Sequence, residues 1–229
     1  MTPVREERFE RDYYEKHYRD YGRQNPPKKL RFYRELAERA ASGIPRPRVL
    51  DVGCAFGAFL SALDPAWQRF GIDASEFATD LARRTVPDVS FERAGVGDIP
   101  FPGPFDLITA FDVIEHLGDL DEAAAAVGAR LARGGHFLFV VPVYDGPTGP
   151  LVRLLDGDET HVHRRSRTFW LEWAAQRFAL REWWGIYRYL LPGGFYLHLP
   201  TRPGRRFAPA IAVLARNGAD RGGRGDGTS

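Results

Sequence analysis

Short apolar runs alternate with amphipathic stretches through the middle of the chain. Apolar, β-rich segments fall at 48–53, 68–73, 88–93, 105–111 and 135–142. Between them, 57–64, 75–84 and 119–132 carry apolar residues at helical spacing. The face from Leu120 to Leu131 is thin, because alanines supply most of it. Strands alternating with helices predict a parallel sheet covered by helices. Two helices are predicted ahead of this core, over 8–21 and 28–41, parted by Asn25-Pro26-Pro27 and closed by Ser42-Gly43. After Pro142 the pattern changes. Residues 143–168 read as a long charged connection, 169–178 as a helix, and 180–191 and 207–216 as strands. The Gly-, Arg- and Asp-rich stretch 217–229 predicts a disordered tail. No internal repeat is present.

The junction between the first two core segments carries the strongest chemical signal. The run Val49-Leu50-Asp51-Val52 ends on Gly53-Cys54-Ala55-Phe56-Gly57, and Phe70-Gly71-Ile72 ends on a second acid, Asp73. Strand, glycine turn, helix, strand and acid outline a nucleotide-binding βαβ unit. Gly53 and Gly57 let the backbone turn tightly beside a ligand, and Asp73 offers acceptors to two ribose hydroxyls. In the dinucleotide pattern G-x-G-x-x-G/A the middle glycine meets the pyrophosphate; here Ala55 takes its place. Asp51 would repel a pyrophosphate and favour an ammonium or a sulfonium.

The D-x-G-x-x-x-G pattern of Asp51, Gly53 and Gly57 resembles motif I of the class I S-adenosylmethionine-dependent methyltransferases. The rest follows in order: Gly97-Asp98-Ile99-Pro100-Phe101 resembles the loop after the third strand, Phe105 to Leu117 the fourth strand and its exit, and Leu131 to Pro142 the fifth strand. The resemblance covers roughly residues 48 to 143. It implies a Rossmann-like, doubly wound, mostly parallel α/β sheet with an antiparallel last strand and an N-terminal helical lid. The implied organisation is a lid over 1–45, a methyltransferase domain over 46–216 with a substrate-side insertion near 143–205, and the tail. S-adenosylmethionine is the implied cofactor. Tyr14 and Tyr18, an i,i+4 pair on the first helix, would close over it; Asp51, Gly53, Ala55, Gly57, Asp73, Asp98, Ile99 and Phe111 would line its site.

Composition narrows the class further. The chain has 229 residues, 32 basic and 30 acidic residues, and a net charge of +2. That balance demands neither nucleic acid nor a membrane surface as a partner. No apolar run reaches the length of a membrane span. Cys54 is the sole cysteine, which excludes an internal disulfide, and it reads as a small residue packed under the cofactor. A cytoplasmic protein acting on a small molecule is expected, with a homodimer left open.

Methyl transfer to a hydroxyl requires a base, and histidine is the natural one. His161, in the loop after the fifth strand, is the first candidate for general base, with Glu159 or Asp158 to orient its ring; His116, after the fourth strand, is the second. An amine acceptor needs less help, so N-methylation is the nearest rival, and a cofactor-binding regulator without turnover is another. Asp112, Glu115 and His116, with the Asp156, Asp158 and Glu159 loop, are the candidates for holding magnesium, although the favoured reading uses no metal. Trp170, Trp173, Trp183, Trp184, Tyr187, Tyr189, Phe195 and Tyr196 form an aromatic cluster that serves either an acceptor or the core. Arg164, Arg165 and Arg167 serve an anionic acceptor or solvent. Asn25-Pro26-Pro27 resembles the motif of nucleobase and amide N-methyltransferases, but it lies far ahead of the fourth strand and Lys28 replaces its aromatic residue.

Overall fold

A computed structural model describes residues 11–17, 21–191 and 195–218. One sheet of eight strands organises it, in the order β3-β2-β1-β4-β5-β8-β6-β7. The parallel part is β1 (Arg48–Val52), β2 (Gln68–Asp73), β3 (Ser90–Arg93), β4 (Phe105–Phe111) and β5 (Leu131–Pro142). β6 (Ala179–Leu191), β7 (Phe195–Thr201) and β8 (Ala210–Arg216) are antiparallel to their neighbours. The strand order reverses between β1 and β4. Ligands of open α/β sheets bind at such a switch point, outside the carboxyl ends of the strands.

Core packing follows the apolar pattern. Val49, Leu50, Leu107, Ile108, Phe137, Leu138, Phe139 and Val140 are buried on both sheet faces, as parallel strands require. One face is covered by α6 (Leu120–Arg130) and α8 (Arg167–Arg177), the latter burying Trp170 and Trp173. The other is covered by α3 (Pro27–Ala40), which buries Phe32, Tyr33, Leu36, Ala37 and Ala40. Asp119 and Ser166 cap α6 and α8 by accepting from backbone N–H groups of the first turn.

Two elements depart from the expected pattern. The connection over 143–168 contains a helix, α7 (Gly149–Leu155). The sheet ends on three antiparallel strands, because β7 pairs with β6 as an edge strand. Of the first predicted helix the structure describes α1 (Arg11–His17), and a short α2 (Tyr21–Gln24) starts at its predicted last residue; Tyr18 and the tail from 219 onward lie outside the described residues. The remaining helices are α4 (Ala58–Ala62) and α5 (Glu76–Thr85). No helix among the described residues is long and apolar enough to cross a membrane.

Candidate active site

A cavity of about 310 Å³ opens at the switch point. Asp51, Gly53, Cys54 and Ala55 form one wall, and Phe111 and Asp112 at the exit of β4 the next. The N-terminal segment supplies Tyr13, Tyr21, Asn25, Lys29 and Tyr33, and the far wall is His116, Asp158, His161 and Arg188.

The glycine turn is a backbone construction. Gly53 has φ +71, and a Cβ there would stand 2.3 Å from Cγ2 of Val113. Its N–H donates to the Ile72 carbonyl at 2.8 Å, joining β1 to β2 at the turn. Gly57, with φ +77, opens α4, and a Cβ there would meet Phe91 at 2.7 Å. Both positions therefore need a residue without a side chain. Asp51 is 3% exposed and accepts a 2.6 Å hydrogen bond from Thr109. Burial pushes its carboxyl up to about 7, against the lowering effect of the Thr109 hydroxyl. A cation arriving at this wall would draw the proton off. The Cys54 thiol is buried and pushed well above its ordinary range, chiefly by burial, so it packs rather than reacts.

Asp73 closes the end of β2. Its Oδ2 accepts from the Ala55 N–H at 2.9 Å and its Oδ1 from the Ser75 N–H at 3.0 Å. The Tyr14 hydroxyl lies 3.0 Å from each oxygen. Tyr14 thus meets the expected ribose acid itself, while Tyr21 accepts from the Ala58 N–H at 3.3 Å and packs on Phe56. Phe111 lines the cavity and stacks on Tyr33 at 4.3 Å. Asp98 is exposed, its neighbour Ile99 is buried in the sheet's core, and neither lines the cavity.

Long-range contacts assemble the far wall. The backbone carbonyl of Glu115 accepts from Val162 and His163, which pins the 156–163 loop against the exit of β4. His161 Nδ1 lies 2.8 Å from Asp156 Oδ1 and 3.0 Å from the Tyr144 hydroxyl, which itself donates to Asp156 Oδ2 at 2.6 Å. Asp156, not Glu159 or Asp158, therefore orients this ring; Glu159 is exposed. Thr160 donates to Asp158 Oδ1 at 2.5 Å, so its oxygen is left to accept from His116 Nδ1 at 2.9 Å. This donor bookkeeping assigns a proton to Nδ1 of both rings, so Nε2 is the one ring nitrogen of each that can accept a proton. Burial pushes His116 down to about 4, with the His161 charge adding to it, so His116 is neutral at pH 7.

Glu115 is fully buried, and neither carboxyl oxygen has a hydrogen-bond partner among the described residues. Burial first, then the Asp112 charge, pushes it well above the carboxylate range. Glu115, His116 and His161 each offer a ligand atom, and these lie within 4.8 Å of one another. The triplet differs from the expected one, because Asp112 is committed to Arg188 through two contacts of 2.5 Å. Asp112 holds φ +59, a left-handed conformation uncommon outside glycine that aspartate tolerates better than most residues. Two imidazoles and one carboxylate, with Asp156 behind the His161 ring and Thr160 behind the His116 ring, suit a first-row transition ion better than magnesium.

Other candidates resolve into structure. Trp170, Trp173 and Trp184 are buried in the core, and no tryptophan lines the cavity. Arg164 pairs with Asp156, Arg167 is buried against Asp145 and the Ala208 carbonyl, and Arg165 lies over Phe169. Sequence reasoning missed Tyr13, Tyr144 and Arg188 as site residues, and took Asp156 as a candidate for magnesium rather than as the partner of His161. Tyr13 had a signal in its place beside Tyr14; Arg188 had none.

The sequence profile of the methyltransferase-domain family matches residues 18–185. The chain belongs to that family. It is 37% identical over 122 residues to nodulation protein S of Rhizobium tropici, covering 50% of this chain and 51% of that protein. It is 34% identical over 99 residues to a ubiquinone biosynthesis O-methyltransferase of Thiobacillus denitrificans, covering 40% and 42%. The chain thus spans about half the length of these curated relatives. The crystal structure of the N-methyltransferase NodS from Bradyrhizobium japonicum WM9 with S-adenosylhomocysteine superposes with a TM-score of 0.58 at 18% identity, covering 84% of this chain and 89% of that one. The class I S-adenosylmethionine-dependent methyltransferase fold expected from the motifs is thereby borne out. The residues fit the cofactor chemically. Asp51 is a buried carboxylate suited to a cation, Gly53 is a cradle that a Cβ would fill, and Asp73 stands at the end of β2 with each oxygen fixed by a backbone N–H group.

Proposed function

We propose that this protein transfers a methyl group from S-adenosylmethionine to a hydroxyl of a small molecule, with His161 as general base. The carrying observation is the anchoring of His161 Nδ1 by Asp156 and Tyr144, which leaves Nε2 as the nitrogen to accept a proton in a ring that lines the cavity with Asp51 and Gly53. The cofactor supplies a methyl group already activated on a sulfonium. The protein's own task is then to position the acceptor, exclude water and accept one proton. As the carbon–sulfur bond breaks and the carbon–oxygen bond forms, the hydroxyl proton passes to His161 Nε2. The resulting imidazolium is stabilised by Asp156, whose charge is already aligned with Nδ1. Asp51, Gly53, Ala55, Asp73 and Phe111 would hold the cofactor, with Asp98 and Ile99 toward its base. Sugars, polyketides and other metabolites fit the reading equally.

A second reading rests on Glu115, His116 and His161 as ligands. A metal ion there would lower the acceptor's own pKa, and His161 would bind rather than accept a proton. Turnover assays separate the two. His161→Ala should lower turnover about 10²–10⁴-fold, the usual worth of a general base, and leave S-adenosylhomocysteine affinity unchanged. Loss on chelation with recovery on added manganese or zinc supports the metal reading. Full turnover in His161→Ala with no effect of chelator would point to an amine acceptor, as in the related N-methyltransferase, and the hydroxyl reading would fall. Cofactor binding without methylation of any acceptor would leave a regulator.

A further inference from the structure

The Tyr14 hydroxyl stands equidistant from the two oxygens of Asp73, at 3.0 Å from each. An ionised carboxylate has about four lone-pair sites. The backbone N–H groups of Ala55 and Ser75 take one on each oxygen. A hydroxyl spanning the next site on each oxygen occupies the place that a ribose 1,2-diol would take. Tyr14 and Asp73 are each 5% exposed, and Asp73 does not line the cavity. The tyrosine ring packs on Phe56 at 5.1 Å and Phe77 at 6.2 Å, which holds α1 against the glycine turn. The adjacent Tyr13 points the other way. Its hydroxyl donates to Asp158 Oδ2 at 3.1 Å, and Asp158 holds Thr160, which holds His116. Two consecutive residues of one short helix therefore touch the cofactor acid and the histidine loop.

We propose that Tyr14 is a stand-in for the cofactor's ribose, and that Tyr13 is a positioning residue carrying its displacement to the acceptor side. When the ribose diol takes Asp73, the Tyr14 hydroxyl leaves. Tyr13 lies one residue away with its ring 5.5 Å from that of Tyr14, so α1 cannot move without changing the Tyr13–Asp158 contact. The loop bearing His161 then has one arrangement before cofactor binding and another after it. Cofactor binds first, and the acceptor meets a loop already set by it. The inference rests on S-adenosylmethionine as cofactor and is independent of whether oxygen or nitrogen is methylated.

Two acceptor-free measurements on the full chain test it. By calorimetry with S-adenosylhomocysteine, Tyr14→Phe should bind about 3–10-fold more tightly than wild type, because it removes a competing hydrogen bond to a charged group. A matching melting curve for the variant without ligand establishes that it is folded. Equal or weaker affinity overturns the stand-in. In native proteolysis, trypsin cleavage after the exposed Arg164 and Arg165 should change several-fold in rate when wild type is saturated with S-adenosylhomocysteine. Tyr13→Phe should lose that response while still binding the ligand. A wild-type rate indifferent to ligand, or an undiminished response in Tyr13→Phe, overturns the coupling. Wild type that binds no S-adenosylhomocysteine overturns the cofactor reading together with this inference. Intact binding without a gain in Tyr14→Phe overturns the stand-in alone.

Discussion

Residues 51–57 carry one side of the cavity in a single stretch of chain, whereas the opposite side draws on Glu115 and His116, on Tyr144, on Asp156 to His161 and on Arg188. The first side works mainly through backbone: two glycines with positive φ, and N–H groups turned to Ile72 and Asp73. The second works through side chains that meet only because Glu115 ties the 156–163 loop to β4. A site made of local backbone geometry keeps its chemistry when acceptors change. A site made of convergent side chains can be remodelled one residue at a time. Mutations should therefore act differently on the two sides: the cofactor side should respond in affinity, the acceptor side in turnover.

After His161 itself, the largest effect is expected at Asp156, behind that ring. Asp156→Asn keeps the shape of the contact but presents an amide that donates as well as accepts. It no longer holds Nδ1 protonated or stabilises the imidazolium. Turnover should fall by about 10²-fold or more, with S-adenosylhomocysteine affinity within about twofold of wild type. Single-turnover kinetics and calorimetry on the same preparation check both halves. A large affinity loss would mean that the two sides are not separable.

This contrast also explains what was legible in the sequence. The glycine turn was readable because its constraints act between near neighbours. Asp51, Gly53, Gly57 and Asp73 carry the same meaning in any chain that turns this way. Asp156 was passed over for Glu159 and Asp158, because nearness to His161 in sequence is a poor guide inside a loop that folds back on itself. The direct 2.8 Å contact of Asp156 with Nδ1, braced by Tyr144 from 17 positions away, reveals which acid faces the ring. β7 was hidden by Pro200, which weakens a strand reading; the strand is tolerated because it lies at the sheet edge, where an amide donor can be spared. α7 was hidden by its brevity and by the Gly149-Pro150 start.

A smaller effect tests the cofactor side alone. The Asp51 carboxyl is held near pH 7, well above its ordinary range. The folded protein therefore keeps a proton there that the unfolded chain has lost. Stability from this group is present at low pH and is lost as pH rises through about 7. Cation binding runs the other way, because it needs the ionised form. The ionised fraction climbs from about one tenth at pH 6 to about nine tenths at pH 8, so S-adenosylhomocysteine affinity should rise about 5–10-fold over that interval. Asp51→Asn should bind weakly with no such rise. A wild-type affinity flat across the interval would show that the cofactor's cationic end does not meet Asp51.

The smallest effect is expected at Asp98, which the motif order assigns to the adenine amino group. The side chain is exposed and lies outside the cavity lining. A hydrogen bond made there competes with water, so Asp98→Ala should weaken S-adenosylhomocysteine binding only about 3–10-fold. The sharper measure is discrimination against S-inosylhomocysteine, in which the amino group is replaced by a carbonyl. Wild type should prefer the adenine ligand, because a carboxylate beside a carbonyl is left without a donor. Asp98→Asn should lose that preference, since an amide can donate to the carbonyl or accept from the amino group. Equal preference in both proteins would remove Asp98 from the site. Recognition of the base would then fall to the Ile99 backbone and neighbouring apolar packing, and the cofactor side would depend on backbone geometry even more than the comparison with the acceptor side implies.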